Sequence, residues 1–587
     1  MTHGAEVRDV RHLGDFTVTR RMVLIAALAL PIGAIAAGAA WCLLRLIGLI
    51  TNAVFYQRTS TDLVAPGPHH PWWLVLGAPV AGGLVIGVMA RYGSEKIRGH
   101  GMPEAIEAIL LGGSKVAPRV AVLKPVSSAV AIGTGGPFGA EGPIIMTGGA
   151  LGSLFAQLFH LSAAERKTLL VAGAAAGMTA IFNTPIAAIL LAVELLLFEW
   201  KPRSFVPVVV AVLVAAFCRP FLIGSGALFP FSAVPALPWW GLGLCIVVGI
   251  VSGLQSALMT LCLYAIEDFF HRLPIHWMWW PALGGLIVGI GGYFEPSALG
   301  VGYDNIRQLL GAGLDNHGAT MLLLVKAAIW LVALSSGTSG GVLAPLLIMG
   351  GALGFLEGQL IPFGGVGFWA LVGMAAILGG TMRSPLMATF FAVELTGNTH
   401  ILLPVMVATV SAFTLTVLLM KRSILTERIA RRGLHLSREY SVDPFLNSRV
   451  ADIMIRNVET LPAGMKVADA IDFYSSEAHR HKSYPVTDGE GALLGMIARA
   501  DALSWAEDPE AQKLTLAEAL DGTTLLKGYD DEIVAALADR MIANDVGRVP
   551  ILERATGRLV GLVARRDLLK VRARLTHQEV SRSQGFA

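Results

Sequence analysis

The sequence predicts an all-α polytopic membrane domain with an internal repeat, followed by a small α+β module built of two similar units. Three observations predict it. Of 587 residues, 54% are hydrophobic and 15% charged, where ordinary globular domains carry about a quarter of charged residues; mean hydropathy is +0.63. Apolar runs follow one another from residue 20 to about 420, and two stretches of that region repeat each other. Beyond residue 448 charges become common and the apolar runs shorten.

Residues 1–19 form a short polar N-terminal tail. Arg8, Arg11, Arg20 and Arg21 precede the first apolar stretch, which is too long for a signal peptide. The membrane part spans 20–433. Its apolar segments differ in length. Several are too short to cross a hydrocarbon core of about 30 Å, which takes about 20 helical residues, and many are broken by Gly and Pro. Short, interrupted helices are the pattern of transport proteins with sites near the midplane, because irregular backbone is tolerated there only where protein or water satisfies it. The membrane part ends in KRSILTERIARRG, 421–433. With arginines at both ends, the positive-inside rule predicts that both termini are cytoplasmic, and the expected location is the cell (inner) membrane, as a multi-pass protein.

GALG at 149–152 recurs at 351–354, with Pro143 and Pro345 at matching offsets. AGAAAGMTAIFNTPIAAILLAVEL (172–195) matches VGMAAILGGTMRSPLMATFFAVEL (372–395), setting Gly173, Pro185 and Glu194 opposite Gly373, Pro385 and Glu394. Two related halves point to a site at their interface.

A linker at 434–447 leads to two units, 448–508 and 509–575, before a C-terminal tail at 576–587. Each unit reads helix, strand, strand, helix, with strands SYPVTD and LLGMIA, then RVPILE and LVGLVA. One unit is small for a core of its own, so the two should pack together. Asp501 and Asp567 open the final helices. A carboxylate there would accept ribose hydroxyls if a nucleotide filled the cleft; the plainer reading is a helix cap.

The chemistry concentrates in GTGGPFGAEGPIIMTGGALG, 133–152, where Glu141 is the one ionisable residue. A carboxylate in such company is costly without a partner or a task. A helix beginning at Pro143 would point its free N–H groups and positive dipole end at Glu141, a geometry that attracts anions. The plain alternative is a packed loop whose glutamate pairs with a base elsewhere. Two further stretches offer helix starts to the same ligand. One is GHGMPEAIEAIL (99–110), with Glu104 and Glu107 on a polar face. The other is SSGTSGGVLAPLLIMGG (335–351). Helix N-termini meeting at mid-membrane would replace an anion's hydration without a fixed full charge, so the anion could also leave. Glu141, ionised, would occupy the anion's place; protonated or swung aside, it would vacate it. Glu194 and Glu394 read as structural. Lys326 either lines an anion entry or snorkels to an interface, and Tyr303 reads as a loop anchor. Cys42, Cys218, Cys245 and Cys262 match neither a metal site nor a disulfide framework. There is no nucleophile–base pair for an enzyme, and a net charge of +3 makes no case for nucleic acid.

These motifs resemble the CLC family of chloride channels and proton/chloride exchangers over 20–433, and the tail resembles a pair of CBS domains. GHGMP (99–103) stands for the family's GSGIP, GAEGP (139–143) for GREGP, and GGVLAP (340–345) for GGIFAP. The resemblance implies an inverted repeat, a homodimer in the lipid bilayer with one anion pathway per subunit, and Glu141 as the gate. It implies anion contacts, mostly backbone, at His100, Gly101, Met102, Gly142, Val342 and Leu343. It implies no required cofactor, with an adenine nucleotide as the candidate ligand of the CBS pair. The sequence departs from the family at three places. His100 replaces the serine that touches the central anion. Leu425 replaces the anion-binding tyrosine. Leu195 replaces the internal proton-transfer glutamate. The expected function is gated anion conduction, chloride by default. The alternatives are proton-coupled chloride exchange and a membrane scaffold or sensor acting through the CBS pair.

Overall fold

The computed structural model describes residues 20–571 apart from 111–112, 233–236, 433–444, 446–447, 477–480 and 523–524. The expected N-terminal tail, most of the expected linker and the C-terminal tail fall outside the described residues. The chain separates into two units, one within residues 18–438 and the other within 439–587.

The first unit is helical. Its first half runs through α1 (Arg21–Tyr56), α2 (Trp72–Tyr92), α3 (Met102–Leu110), α4 (Pro118–Gly133), α5 (Glu141–Gln157), α6 (Ala163–Phe182), α7 (Pro185–Leu191) and α8 (Pro202–Leu222). Its second half holds α9 (Gly241–Arg272), α10 (Trp280–Phe294), α11 (Tyr303–Leu310), α12 (Asn316–Ser335), α13 (Leu343–Gly358), α14 (Val366–Met382), α15 (Pro385–Thr396), α16 (Leu402–Leu419) and α17 (Ile424–Arg431). Six helical segments are long and apolar enough to cross a membrane, among them α1, α2, α8, α9 and α12. Helices α13, α14 and α15 are apolar but shorter. They pack inside the bundle, where other helices rather than lipid meet their ends.

The repeat is written into the packing. Helix α5 crosses α6 through Gly148 and Gly173, and α13 crosses α14 through Gly350 and Gly373. A Cβ on Gly350 would lie 2.6 Å from the Gly373 carbonyl oxygen, and one on Gly373 3.1 Å from the Gly354 nitrogen. Small residues at such crossings let backbones touch, which drives helix association where lipid is as apolar as leucine. Two buried lysines repeat as well. Lys124 on α4 donates to the carbonyls of Ile97 (2.8 Å) and Gly99 (2.6 Å). Lys326 on α12 donates to those of Ala298 (2.8 Å) and Gly300 (2.9 Å). Lys326 therefore neither snorkels nor stands free: its ammonium ties down the loop before α11.

Glu194 and Glu394 exchange caps between the halves. Glu394 accepts the N–H groups of Ile186 (2.9 Å) and Ala187 (2.8 Å) at the start of α7. Glu194, in a π-helical turn at Ala192–Leu197, accepts the Met387 N–H (3.1 Å) at the start of α15 and the Ser384 hydroxyl. Each satisfies donors that the first turn of a helix leaves free.

The second unit holds two three-stranded sheets. In the first, β1 (Leu461–Pro462) lies parallel to β2 (Ser483–Thr487), which pairs antiparallel with β3 (Leu493–Ala498), Tyr484 opposite Ile497. In the second, β4 (Gly528–Tyr529), β5 (Arg548–Leu552) and β6 (Leu559–Ala564) repeat that order, Val549 opposite Val563. The two-residue strands β1 and β4 are absent from the sequence reading, being too short to show alternation. The lead-in segments are also exchanged. Val450 donates to Glu532 and Ile455 to Leu562, both at 2.9 Å, so the segment leading into β1 joins the second sheet. Leu516 donates to Met465 (2.9 Å) and packs in the first core.

Candidate functional site

Three loops meet in the middle of the helical unit, and backbone makes the contacts. Gly139 and Gly341 pair antiparallel, with Gly341 N–H donating to Gly139 O at 2.9 Å. Gly99 and Ser339 bridge in parallel. The His100 carbonyl lies against Gly142, leaving no room for a side chain there. Gly101 adopts φ +89°, and a Cβ on it would fall 2.6 Å from the Gly142 carbonyl oxygen. Only glycine meets both demands. Hydroxyls of Ser127 (3.1 Å) and Ser128 (2.8 Å) on α4 hold the Ser339 hydroxyl, fixing the third loop from behind.

Helices α3, α5 and α13 begin at this junction. Each carries proline in its first turn: Pro103, Pro143 and Pro345. Proline there leaves no N–H to satisfy and sets φ for the helix. The donors that remain at α13 are the amides of Leu343 and Ala344.

Glu141 is fully buried. It does not stand in front of its helix, as the sequence reading has it; it is the first residue of α5, with Ala140 as the N-cap. Pro143 is compatible with an earlier start because the first three helical N–H groups need no intrahelical partner. The carboxylate therefore reaches outward. Its Oε1 accepts the Ala344 N–H at the start of α13. Its Oε2 lies over Gly139 and has no hydrogen-bond partner, and a Cβ on Gly341 would come within 3.1 Å of it. A side chain of one repeat thus caps the helix of the other, at the spot where a free anion would find the same amide.

His100 is 1% exposed, and both its ring nitrogens lack partners. Gly101 donates its N–H to Glu104 Oε2 at 2.9 Å. Glu104 is 5% exposed, so the polar face it shares with Glu107 meets protein rather than water. Its short helix starts inside the bundle and turns that face toward Arg428 Nε (3.8 Å) and Arg432 (3.9 Å). Glu107, one turn on, is half-buried and pairs with Arg432. Met102, Gly142, Val342 and Leu343 are buried around the junction, Leu425 is buried in α17, and Leu195 is buried in the π-helical turn.

Two cavities open in the helical unit. One of about 590 Å³ is lined by Lys96, Arg98, Glu107, Glu267, Arg428, Arg431 and Arg432. Another, of about 310 Å³, is lined by Arg45, Thr51, Gly300–Tyr303 and Arg307. Tyr303 is the first residue of α11, and its buried hydroxyl has no partner.

Sequence reasoning missed Lys124 as a loop anchor and the Ser127–Ser128–Ser339 cluster. Lys124 and Lys326 stand at matching repeat positions, and that signal would have found both.

In the tail, a cavity of about 790 Å³ is lined by His481, Lys482, Arg499 and Arg548. Asp501 and Asp567 do not line it. Asp501 accepts the Ala498 N–H (2.7 Å), Asp567 the Ala564 N–H (3.0 Å) and Lys570 (2.9 Å). Both serve as helix caps.

Comparison with known proteins agrees with this fold. The family model described as voltage gated chloride channel matches residues 82–416, and the CBS domain model matches 450–508 and 529–574. The chain is 29% identical over 400 residues to the voltage-gated ClC-type chloride channel ClcB of Escherichia coli, covering 66% of this chain and 94% of that protein. A slow cyanobacterial Cl−/H+ antiporter superposes with TM-score 0.62 at 22% identity, covering 71% of this chain and 99% of that one. A eukaryotic CLC transporter gives TM-score 0.59 at 19% identity, covering 93% and 98%. With three glycine loops, a buried carboxylate between two helix starts and paired sheets in the tail, the chain belongs to the CLC voltage-gated chloride channel family and carries a tandem pair of CBS domains.

Proposed function

We propose that the chain moves a small inorganic anion, chloride by default, across the membrane through the junction of α3, α5 and α13, and that Glu141 is the gate. One observation carries the reading: the Glu141 carboxylate of one repeat occupies the amide end of the other repeat's helix. An anion and this carboxylate compete for the same donors, so passage requires Glu141 to leave. Protonation removes the charge that holds it there.

The mode favoured is gated conduction, because Leu195 offers no proton-carrying group where the resemblance expects one. Proton-coupled exchange is the second reading. It is supported by the likeness to a cyanobacterial Cl−/H+ antiporter and by the unpartnered ionisable atoms beside the junction. Both termini are cytoplasmic in this proposal, with the arginine-rich cavity facing the cytoplasm, and the working form is a homodimer. The basic cleft of the CBS pair takes an adenine nucleotide, its phosphates on Lys482, Arg499 and Arg548.

Purified protein in liposomes, followed for chloride, nitrate and fluoride efflux with proton movement recorded in parallel, tests the proposal. Anion efflux without a fixed proton count supports conduction; a constant ratio supports exchange. No efflux of any anion overturns transport and leaves the sensor alternative.

A further inference from the structure

We propose that the cleft of the CBS pair selects its ligand by phosphate charge and not by ribose, taking a nucleoside triphosphate ahead of the diphosphate and the monophosphate. The proposal rests on the nucleotide reading of that cleft and deepens it. The cleft, of about 790 Å³, presents Lys482, Arg499 and Arg548 and no acidic side chain among the described residues. Its volume is within the range of about 300–1,000 Å³ typical of ligand cavities. Arginines elsewhere in the tail are neutralised within the protein: Arg540 pairs with Glu532 (2.7 Å), Arg554 with Asp531 (2.9 Å) and Arg565 with Asp545 (2.5 Å). Arg565 makes the contrast sharpest, because it stands two residues before the capping Asp567 as Arg499 stands two before Asp501. Among the described residues no such carboxylate meets Lys482, Arg499 or Arg548; Arg548 donates to the Ser483 hydroxyl at 3.4 Å.

Three cations facing one cleft repel one another, and a polyanion relieves that repulsion. Guanidinium forks grip phosphate oxygens through charge-assisted hydrogen bonds, which are about twice as strong as neutral ones. Each further phosphate therefore gives the cations another charged partner. The apolar side chains of Met496, Leu525 and Val546 offer a base a surface to lie on. A ribose finds no carboxylate. Asp501 accepts the Ala498 N–H (2.7 Å) and Asp567 the Ala564 N–H (3.0 Å), and neither lines the cleft. A site strongly rejects an analogue lacking a hydroxyl only where buried polar groups are built to bond that hydroxyl. Removing the 2′-hydroxyl should therefore matter little here, and removing phosphates should matter much.

The test is titration calorimetry on the full chain in detergent, in magnesium-free buffer, with ATP, ADP, AMP, 2′-deoxy-ATP and inorganic tripolyphosphate. ATP should bind at least about tenfold tighter than AMP, since one hydrogen bond to a charged group is worth that much, with ADP between them. 2′-Deoxy-ATP should match ATP within about twofold, and tripolyphosphate should bind without any nucleoside. Lys482→Gln and Arg499→Gln, both at exposed positions, should each shrink the ATP-to-AMP ratio by at least about threefold. Four results would each overturn the proposal and leave nucleotide binding standing: equal affinities for ATP and AMP, a loss of about tenfold with 2′-deoxy-ATP, no heat from tripolyphosphate, or an unchanged ATP-to-AMP ratio in either variant. Binding of none of the nucleotides would overturn the nucleotide reading, and this proposal with it.

Discussion

The two halves of the helical unit share their scaffold and differ in their chemistry. Lys124 and Lys326 each tie down a Gly-X-Gly loop. Glu194 and Glu394 each cap a helix of the opposite half. Gly148 and Gly350 each let a helix pair close. At the positions that matter for a ligand the match stops. His100 stands opposite Val301, Glu104 opposite Asn305, and Glu141 opposite Leu343. What the bundle needs in order to pack is present twice, because both halves solve the same packing problem. The ionisable side chains at the loop junction, His100, Glu104 and Glu141, are present once.

The shared part can be broken on either side with the same result. Gly148→Val and Gly350→Val each force a branched side chain into a backbone carbonyl that cannot retreat. Each should cost more than about 3 kcal/mol and give little monodisperse protein on size-exclusion chromatography in detergent. A large loss in one half with none in the other would mean that the halves do not carry equal load.

The unshared part responds through function instead. Glu141→Gln keeps the volume of the side chain and removes its charge. The amide of Ala344 then meets a neutral group that competes poorly with an anion. Chloride efflux should become independent of pH, while thermal stability changes by less than about 1 kcal/mol, since an uncompensated buried charge is removed along with its hydrogen bond. Leu343→Glu, at the matching position, should not create a second gate, because its helix start already receives Glu141; efflux that became doubly pH-dependent would contradict this.

The exchanged caps sharpen the same comparison at smaller scale. Glu194→Ala and Glu394→Ala each strand the first-turn donors of a helix in the other half. Each should lower stability by about 1–2 kcal/mol, read as matched shifts in thermal unfolding in detergent. Unequal shifts would point to a further task for the residue with the larger one.

Most of the fold and much of the site were legible from periodicity and from glycine and proline placement. The repeat, the three glycine loops and Glu141 each stand out because a charge or a helix breaker in an apolar run has few structural excuses. Where Glu141 sits was not legible. Proline at 143 marks the first turn of a helix but not which of its three leading positions it takes, and the carboxylate's partner, Ala344, lies two hundred residues away. The polar face of Glu104 and Glu107 was legible as an i, i+3 pair of acids on a short helix, but not what that face meets. Only the tertiary approach of Arg428 and Arg432 turns that face inward. Strands β1 and β4, with two residues each, carry no alternation to read.

The tail repeats the lesson with a pair of aspartates. Asp501 and Asp567 occupy the same place in their two units and accept the same N-cap amide, at 2.7 and 3.0 Å. Asp567 is buried and also holds Lys570, whereas Asp501 is half-buried and accepts from the Ala498 amide. Asp501→Ala should therefore cost about 1 kcal/mol and Asp567→Ala somewhat more, up to about 2 kcal/mol. Neither side chain lines the basic cleft, so neither substitution should change the binding of a fluorescent adenine nucleotide to the full chain in detergent. Arg548→Ala removes a cleft cation and should weaken that binding by about tenfold. Loss of nucleotide binding in Asp501→Ala at undiminished stability would return the aspartate to the ligand site, and the cap would then be its secondary role.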